Sequence, residues 1–245
     1  MWNGSSTSGV SLAPPGSRNS QALGIYRDLQ VGYATVGVNG PYHAGLWRGS
    51  AESWIELHPP EATESKALGV GNGLQVGYAK IGGIDHAFLW RGSVESRVDL
   101  TPEATTYSSA NAAFAGVQAG TANRRASVWH GSAGSKEDLH ASLPVTFTES
   151  YGYGVWGTSR FIYVVGYGSD RGATHEAVLW RRPNPCPTDL DGDGKVGLSD
   201  LSIVLGHFGR STEITHADGD MNDDGLIGTY DLSRVLQDFG SACVQ

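Results

Sequence analysis

Acidic residues alternate with other residues in two segments near the C-terminal end of the chain. The first segment, DLDGDGKVGLSDL, covers residues 189–201, and a related segment, DMNDDGLIGTYDL, begins thirty-one positions later at residue 220. Closely spaced like charges repel one another, so a solvated acidic loop explains neither the spacing nor the repetition. Alternating oxygen-bearing side chains followed by a glycine are instead the donor pattern of a calcium loop.

Each segment fits a twelve-residue loop with side-chain oxygens at positions 1, 3 and 5, glycine at 6, a main-chain carbonyl at 7 and a carboxylate at 12. Position 9 is glycine in both copies, Gly197 and Gly228, so it supplies no side-chain ligand. Oxygen donors in a loop of this size favour Ca²⁺ over the smaller Mg²⁺. The chain is predicted to bind two Ca²⁺ ions through Asp189, Asp191, Asp193, Lys195, Asp200, Asp220, Asn222, Asp224, Leu226 and Asp231, with Lys195 and Leu226 contributing carbonyl oxygens.

A short helix is predicted after each loop. Apolar residues follow at the spacing i, i+3, i+4, i+7, which gives a helix one apolar face, and Gly209 and Gly240 are placed to end the two helices. We expect the two faces to pack together in a core too small to fold without metal. The face residues are Leu201, Val204, Leu205 and Phe208 in the first helix and Leu232, Val235, Leu236 and Phe239 in the second.

The negative charge of the protein lies entirely in this segment. Residues 1–182 carry 14 Lys and Arg against 14 Asp and Glu, whereas residues 183–245 carry 3 against 11, which accounts for the net charge of -8. Such a segment attracts cations and repels phosphate backbones, so nucleic acid is excluded as a partner. Two bound Ca²⁺ ions would reduce its charge from -8 to -4.

The only two cysteines, Cys186 and Cys243, flank the acidic repeats. A disulfide between them would join the two ends of the segment and would stabilise it by about 4 kcal/mol through loop closure. The alternative is a pair of free thiols. Their separation is too large for a CxxC redox or zinc motif.

A tryptophan-centred phrase recurs through the first 182 residues. MWNGS, LWRGS, LWRGS, VWHGS and LWRRP begin at residues 1, 46, 89, 128 and 179, so that the tryptophans lie 45, 43, 39 and 51 residues apart. Four short apolar runs in each period indicate a four-stranded antiparallel sheet. The fold class expected is mainly β, a four-bladed or partial β-propeller of four repeats of about 45 residues, with the repeated tryptophans in its core.

Two recurrent polar positions are interpreted as structural. His43, His86, Arg125 and Glu176 share one position, and an arginine would not belong to a ring of metal ligands. Glu56, Asp99 and Asp138 share another position with Ser11, which indicates repeat architecture rather than a catalytic pair of carboxylates. No catalytic residue is predicted, since GxSxG, HExxH and Cys/His signatures are absent from the sequence.

The chain begins inside a repeat, with Met1 in the place of Leu46, Leu89, Val128 and Leu179. Either Met1 is an internal residue, with upstream repeats and a signal peptide missing, or residues 2–15 close a ring by supplying the outer strand that follows Trp180. The sequence contains no run of eighteen apolar residues, so no membrane span is predicted. It also opens without a charged region followed by an apolar one, so no signal peptide is visible.

Two resemblances follow from these motifs. The HAFLW phrase and its relatives resemble the HAF-type extracellular repeat, which is similar to kelch-like propeller repeats. The duplicated loop and helix in residues 186–245 resemble a type I dockerin, a module that attaches secreted proteins to cohesin domains. The resemblances imply a propeller domain at residues 1–182, a Pro-rich linker at 183–188 and a small all-α calcium-binding dockerin domain at 189–245.

The resemblances also imply a bacterial-type secreted protein, extracellular or on the cell surface, whose C-terminal module binds a cohesin-like partner. Dockerins usually carry small hydroxyl residues at loop positions 10 and 11. Here these candidate partner-binding residues are Leu198, Ser199, Thr229 and Tyr230, a departure that bears on cohesin recognition. The expected function is calcium-dependent docking of a non-catalytic protein; the alternative is a polysaccharide-degrading component, with polysaccharide as a second partner.

Overall fold

The computed structural model describes residues 9–37, 40–170 and 174–243, and strands dominate this part of the chain. Four antiparallel sheets follow one another in chain order, and within each sheet every strand pairs with its neighbours in sequence. The first contains β1 (Ser20–Tyr26), β2 (Leu29–Thr35), β3 (Tyr42–Trp47) and β4 (Ile55–Glu56). The second contains β5 (Glu64–Gly71), β6 (Leu74–Ile81), β7 (Ile84–Trp90) and β8 (Val98–Asp99). The third contains β9 (Ser108–Phe114), β10 (Val117–Ala122), β11 (Arg125–Trp129) and β12 (Glu137–Asp138). The fourth contains β13 (Glu149–Gly157), β14 (Phe161–Asp170) and β15 (Thr174–Pro183).

Tight turns connect the first two strands of each sheet. In the second sheet, Asn72 and Gly73 have φ angles of 50° and 76°, the left-handed values that a two-residue hairpin turn requires and that Asn and Gly tolerate best. Neighbouring first strands also approach closely: a Cβ atom on Gly69 would lie 2.5 Å from the Asn111 carbonyl oxygen. The glycines of the repeats therefore allow the sheets to stack.

Each sheet packs through its face on the sheet that follows. Val31 and Leu46 of the first sheet share a core cluster with Ala67 and Trp90 of the second, and equivalent clusters join the second sheet to the third and the third to the fourth. The tryptophans are core residues, as predicted. Trp47, Trp90, Trp129 and Trp180 are all buried, while Trp2 lies outside the described residues.

The predicted fold class is wrong in its architecture. The four sheets are separate, and none is closed into a barrel or propeller. The fourth sheet has three strands, and residues 9–15 form no strand, so the described part of the predicted closing segment does not complete it. The sequence repeat specifies one sheet and its contact with the next, and three such contacts leave the two ends of the stack unjoined.

The predicted all-α C-terminal domain is also wrong. Up to residue 243, this segment forms two ten-residue helices, α1 (Leu198–His207) and α2 (Thr229–Asp238), and a single 3₁₀ turn at His216–Asp218, and most of the other described residues lie in loops. Lys195 and Ala242 form an antiparallel bridge between the first loop and the C-terminal end. The two acidic loops and their connections occupy so much of this short segment that regular helix covers a minority of it.

The apolar faces of these helices differ from the expected ones. Val204 and Val235 are fully buried, and Leu201 and Leu232 pack partly against the same cluster. The remaining four predicted face residues are exposed, which corrects the prediction that they form the inter-helix core. These exposed residues are Leu205, Phe208, Leu236 and Phe239.

Hydrogen bonds from Asn184 fix the linker between the fourth sheet and the first acidic loop. Strand β15 extends to Pro183, one residue beyond the predicted domain boundary. The Asn184 main-chain N–H donates to the Arg160 carbonyl at 3.0 Å, and its side-chain amide donates to the Thr158 carbonyl at 3.1 Å. No helix in the described part of the chain combines the length and apolar character needed to cross a lipid bilayer.

Candidate metal centres and their seat on the sheets

The first acidic loop is organised around Asp189. Its Oδ1 accepts a hydrogen bond from the Gly192 N–H at 2.8 Å, and its Oδ2 accepts one from the Gly194 N–H at 3.0 Å. Asp191 and Asp193 each accept from a main-chain N–H two residues further on, at 3.1 and 2.9 Å. One carboxylate oxygen from each of the three aspartates lies within 4.8 Å of the others. The loop therefore gathers three of the predicted ligands around one point.

The second acidic loop repeats this arrangement. Asp220 accepts from the Asp224 N–H at 3.2 Å and from the Gly225 N–H at 2.9 Å. Asn222 and Asp224 accept from main-chain N–H groups two residues ahead, at 3.2 and 2.8 Å. Two segments of different sequence thus wind the chain in the same way around the same positions, as the matched spacing predicted.

The carboxylate at position 12 ties each loop to the helix behind it. Asp200 Oδ1 accepts from the Leu190 N–H at 2.7 Å, and its Oδ2 accepts from the Gly197 N–H, also at 2.7 Å. Asp231 makes the corresponding bonds to Met221 and Gly228, both at 2.7 Å. Each aspartate is the third residue of its helix, so it satisfies an N–H at the helix start while facing the loop. A carboxylate oxygen can accept more than one bond, and both groups keep acceptor capacity for a cation.

Burial and mutual repulsion act on the carboxylates of the first loop. Burial, reinforced by the negative charge of Asp200, raises the pKa of Asp189 to about 7. Burial also raises the pKa of Asp200. Carboxylates that resist ionisation when buried together gain stability from a cation placed between them. The donor set, all oxygen in a twelve-residue loop, suits Ca²⁺.

Reciprocal hydrogen bonds join the two halves of the segment. The Val196 N–H donates to the Ser241 carbonyl at 3.0 Å, and the Gly240 N–H donates to Val196 at 2.8 Å. In the other half, Ile227 exchanges the equivalent bonds with Gly209 and Arg210, at 2.8 and 3.0 Å. Each loop is thereby held by the end of the other helix, which couples the two candidate sites.

The structure joins Cys186 and Cys243 in a disulfide whose Cα atoms are 5.5 Å apart. The alternative of two free thiols is therefore excluded for this structure. The Cys243 sulfur lies 3.4 Å from the Asp189 Oδ2 atom. The covalent bond thus closes the segment directly beside the first ligand of the first loop.

The first loop rests on the turns of the third sheet. A Cβ atom on Gly192 would lie 2.2 Å from the Cα of Gly116, in the turn between β9 and β10. The side chain of Arg91 donates to the Gly192 carbonyl at 3.3 Å. Gly192 also has a φ of 72°, so this position requires glycine both for its backbone conformation and for the close approach.

Other hairpin turns contact the rest of the segment. The Arg27 guanidinium in the β1–β2 turn forms an ion pair with the buried carboxylate of Asp218. Asn72, in the β5–β6 turn, donates to the Ala217 carbonyl at 3.0 Å. Ser159, in the β13–β14 turn, donates to Asp223 of the second loop at 2.8 Å. All four sheets therefore place a turn against the C-terminal segment.

The contacts between the C-terminal segment and the turns of the sheets were not predicted from the sequence. Arg27 and Asp218 lie 191 positions apart, and nothing local in the sequence links them. One available signal was a break in the internal repeat, because Asp218 occupies the place of Pro187 in the first half. A buried acid without a counterpart in the repeat indicates a partner elsewhere in the chain.

The candidate partner-binding residues lie at the starts of the two helices and are exposed. Leu198 has 73% of its surface exposed, and Tyr230 has 56%. Ser199 and Thr229, their neighbours, are also exposed. These four residues do not contribute to the segment's own core.

The recurrent polar residues of the sheets pair within their own sheet. His43 hydrogen-bonds Glu56, the His86 ring nitrogen lies 2.9 Å from Asp99, and Arg125 donates to Asp138 at 3.2 Å. Each of these three residues thus makes a polar contact within its own sheet, as expected for a structural position.

Comparisons of the chain with protein-family models, curated proteins and solved structures find no match.

Proposed function

We propose that residues 189–245 bind two Ca²⁺ ions and that the calcium-loaded segment docks the protein to a cohesin-like protein domain. In this proposal the protein is secreted, and the sheets are a non-catalytic region carried by the docking segment. The observation that carries it is the duplicated loop, in which residues at positions 1, 3, 5 and 12 are fixed by main-chain N–H groups in both copies. Prearranged carboxylates of this kind are what a divalent cation needs.

The exposed apolar residues of the helices support the docking role. Leu205 and Leu236, at equivalent positions of the two halves, are exposed, as are Phe208 and Phe239. Large apolar side chains that a soluble protein exposes close together, such as Leu205 and Phe208 three residues apart, are commonly used to bind another protein. The position-12 aspartate of each loop is the third residue of the helix that follows, so calcium would order the surface that the partner contacts.

Binding of the full chain to a purified type I cohesin domain tests this function. We expect binding in millimolar Ca²⁺ and its loss in chelator. The variant Leu205→Glu, Leu236→Glu should weaken binding at least tenfold while two Ca²⁺ ions still bind, because both side chains are exposed and lie outside the loops.

The matched control is Val145→Glu, which places the same charge at an exposed apolar residue of the loop before β13. This variant should bind the cohesin domain like the unmodified protein. Absence of binding in both conditions, or equal binding in both, would contradict the docking function even if calcium binds.

A further inference from the structure

The three contacts between successive sheets are built from residues at equivalent positions of the repeat. We call the face of a sheet that packs on the next sheet its forward face, and the opposite face its backward face. Val31 and Leu46 lie on the forward face of the first sheet, with exposed fractions of 0% and 1%, and pack on Ala67 and Trp90 of the second. The second and third sheets repeat this packing through the residues Val76, Leu89, Ala119 and Val128.

Each contact also carries the same hydrogen bond. A main-chain N–H in the third strand of one sheet donates to a serine hydroxyl in the first strand of the next, at 2.9 Å in all three cases. These bonds run from Ala44 to Ser65, from Ala87 to Ser108 and from Ala126 to Ser150. The repeat therefore encodes a sheet-to-sheet interface with fixed apolar and polar partners.

The fourth sheet presents this forward face to solvent. Val165 and Leu179 occupy the repeat positions of Val31 and Leu46 and pair across β14 and β15. Their exposed fractions are 51% and 63%. Ala177, the counterpart of the N–H donor Ala44, is exposed as well. None of the core clusters in the described part of the chain includes Val165, Leu179 or Ala177.

The first sheet presents the complementary backward face. Ser20 and Ala22 occupy the repeat positions of Ser65 and Ala67, and Ala22 is exposed where Ala67 is buried. Ile25, on the same strand, has 70% of its surface exposed. The Trp54 ring adds to the apolar surface of this face. It covers Gly45 so closely that an added Cβ atom on Gly45 would lie 2.1 Å from the ring. Trp54 thereby fills the place that Phe88 fills in the second sheet.

Residues 9–12 match the part of the repeat that forms the fourth strand in the other sheets. In the first three sheets a two-residue fourth strand pairs beside the third, and the leucine after it donates to the main chain of the third strand, as Leu57 does to Ala44 at 2.8 Å. Val10 and Leu12 occupy the repeat positions of Ile55 and Leu57, yet they form no strand. The fourth sheet, in turn, contains three strands among the residues that the structure describes.

We infer that the forward face of the fourth sheet binds the backward face and residues 9–12 of a second copy of this chain, head to tail. The occupant is a second copy because the missing half of the interface is present on every chain, at the opposite end of the stack. The Ala177 N–H of one copy would donate to Ser20 of the next. Such a heterologous contact leaves one free face at each end, so it produces growing open assemblies rather than only dimers.

Sedimentation velocity of the full chain in calcium, over a hundredfold range of concentration, tests this inference. The unmodified protein should show a mass that rises with concentration. Leu179→Glu blocks the forward face, and Ala22→Arg blocks the backward face. Each variant alone should remain a monomer, and because both sites are exposed, circular dichroism should be unchanged.

An equimolar mixture of the two variants gives the sharper result. Leu179→Glu retains a backward face and Ala22→Arg retains a forward face, so the mixture should form dimers that grow no further. Val145→Glu, which adds the same charge at an exposed loop residue outside the strands of both faces, should assemble like the unmodified protein.

A monomeric unmodified protein at every concentration would overturn the inference, as would assembly of either variant alone. If the two faces meet within one chain, the protein stays monomeric, both variants lower the melting temperature and the mixture does not associate. None of these outcomes depends on the cohesin partner, so failure of the docking function is distinguishable from failure of this contact.

Discussion

At the scale of single residues, Asp200 does two things that its position in the loop dictates. It closes the first loop by accepting from the Leu190 N–H, and it caps α1 by accepting from the Gly197 N–H. Replacing one oxygen with an amide NH₂ group removes an acceptor from both the cation and the main chain. The same holds for Asp231 in the second loop.

We therefore predict that Asp200→Asn binds one Ca²⁺ ion per chain instead of two, with at least a hundredfold loss at the first site. Calorimetric titration of the full chain measures this directly. Glu213→Gln is the control, because Glu213 is an exposed acid of the same segment outside both loops, and it should still bind two ions. Two ions bound with unchanged affinity by Asp200→Asn would contradict the assignment of position 12.

Histidines at two sheet-to-sheet contacts predict a pH dependence of stability. His58 and His140 hydrogen-bond Ser65 and Ser150, at 2.8 and 2.9 Å. Burial lowers the pKa of both imidazoles. The neighbouring His43 lowers the pKa of His58 further, and the Arg125 guanidinium lowers the pKa of His140 further. The folded state therefore favours neutral histidine, so stability is complete above the unfolded pKa of 6.5 and falls as the pH decreases below it.

The third contact supplies a matched replacement, because Thr101 makes the equivalent bond to Ser108 at 2.9 Å. We predict that the double variant His58→Thr, His140→Thr unfolds with nearly the same free energy as the unmodified protein at pH 8. At pH 5 it should be the more stable of the two. Denaturant titrations at both pH values test this, and an unchanged pH dependence in the double variant would refute it.

The two acidic loops were readable from the sequence, because the spacing of their side-chain oxygens is set within twelve consecutive residues. Arg27 and Asp218 were not, since their pairing depends on how distant parts of the chain meet. The same reason explains the helix faces. Ile203 and His207 line a cleft of about 250 Å³ that is also lined by Tyr26 of the first sheet, so one side of α1 is turned toward the sheets and not toward α2.

At the scale of elements, the contact between Gly116 and Gly192 determines how the first loop sits on the sheets. We predict that Gly192→Ala lowers the free energy of unfolding by more than the 1 to 3 kcal/mol, roughly, expected for a strained backbone alone. Its Cβ atom would lie 2.2 Å from the Gly116 Cα atom. Chemical denaturation measures the difference.

Gly209→Ala separates the two causes of that loss. Gly209 has a φ of 81°, similar to the 72° of Gly192, but a Cβ atom there would meet nothing within 4 Å. This variant should lose only the backbone contribution. Equal losses in the free energy of unfolding of the two variants would contradict close packing of the first loop against the β9–β10 turn.

The strands themselves were largely predictable, because four apolar runs per period and glycine-containing turns specify hairpins locally. Closure of the stack was not predictable. It depends on whether the face carrying Val165 and Leu179 meets β1, and both the open and the closed arrangement satisfy the same repeat within each sheet. Local patterns specify a sheet and its neighbour but not the number of neighbours that complete the molecule.

At the scale of the whole molecule, the disulfide closes a segment whose ends lie 57 positions apart. Loop closure of this length stabilises the folded state by about 4 kcal/mol in the chain-entropy model. We predict that Cys186→Ser, Cys243→Ser weakens calcium binding and exposes residues 184–243 to proteolysis without affecting the sheets. Limited proteolysis followed by mass spectrometry tests this, and cleavage sites spread evenly over the sheets would contradict it.

Calcium binding by the intact chain is the property on which the docking function depends. The most direct measurement is calorimetric titration of the metal-free full chain with Ca²⁺, combined with hydrogen exchange of residues 189–243 before and after loading. We predict two ions per chain and slower exchange in both loops and both helices. No heat of binding, together with unchanged exchange in millimolar Ca²⁺, would contradict the account.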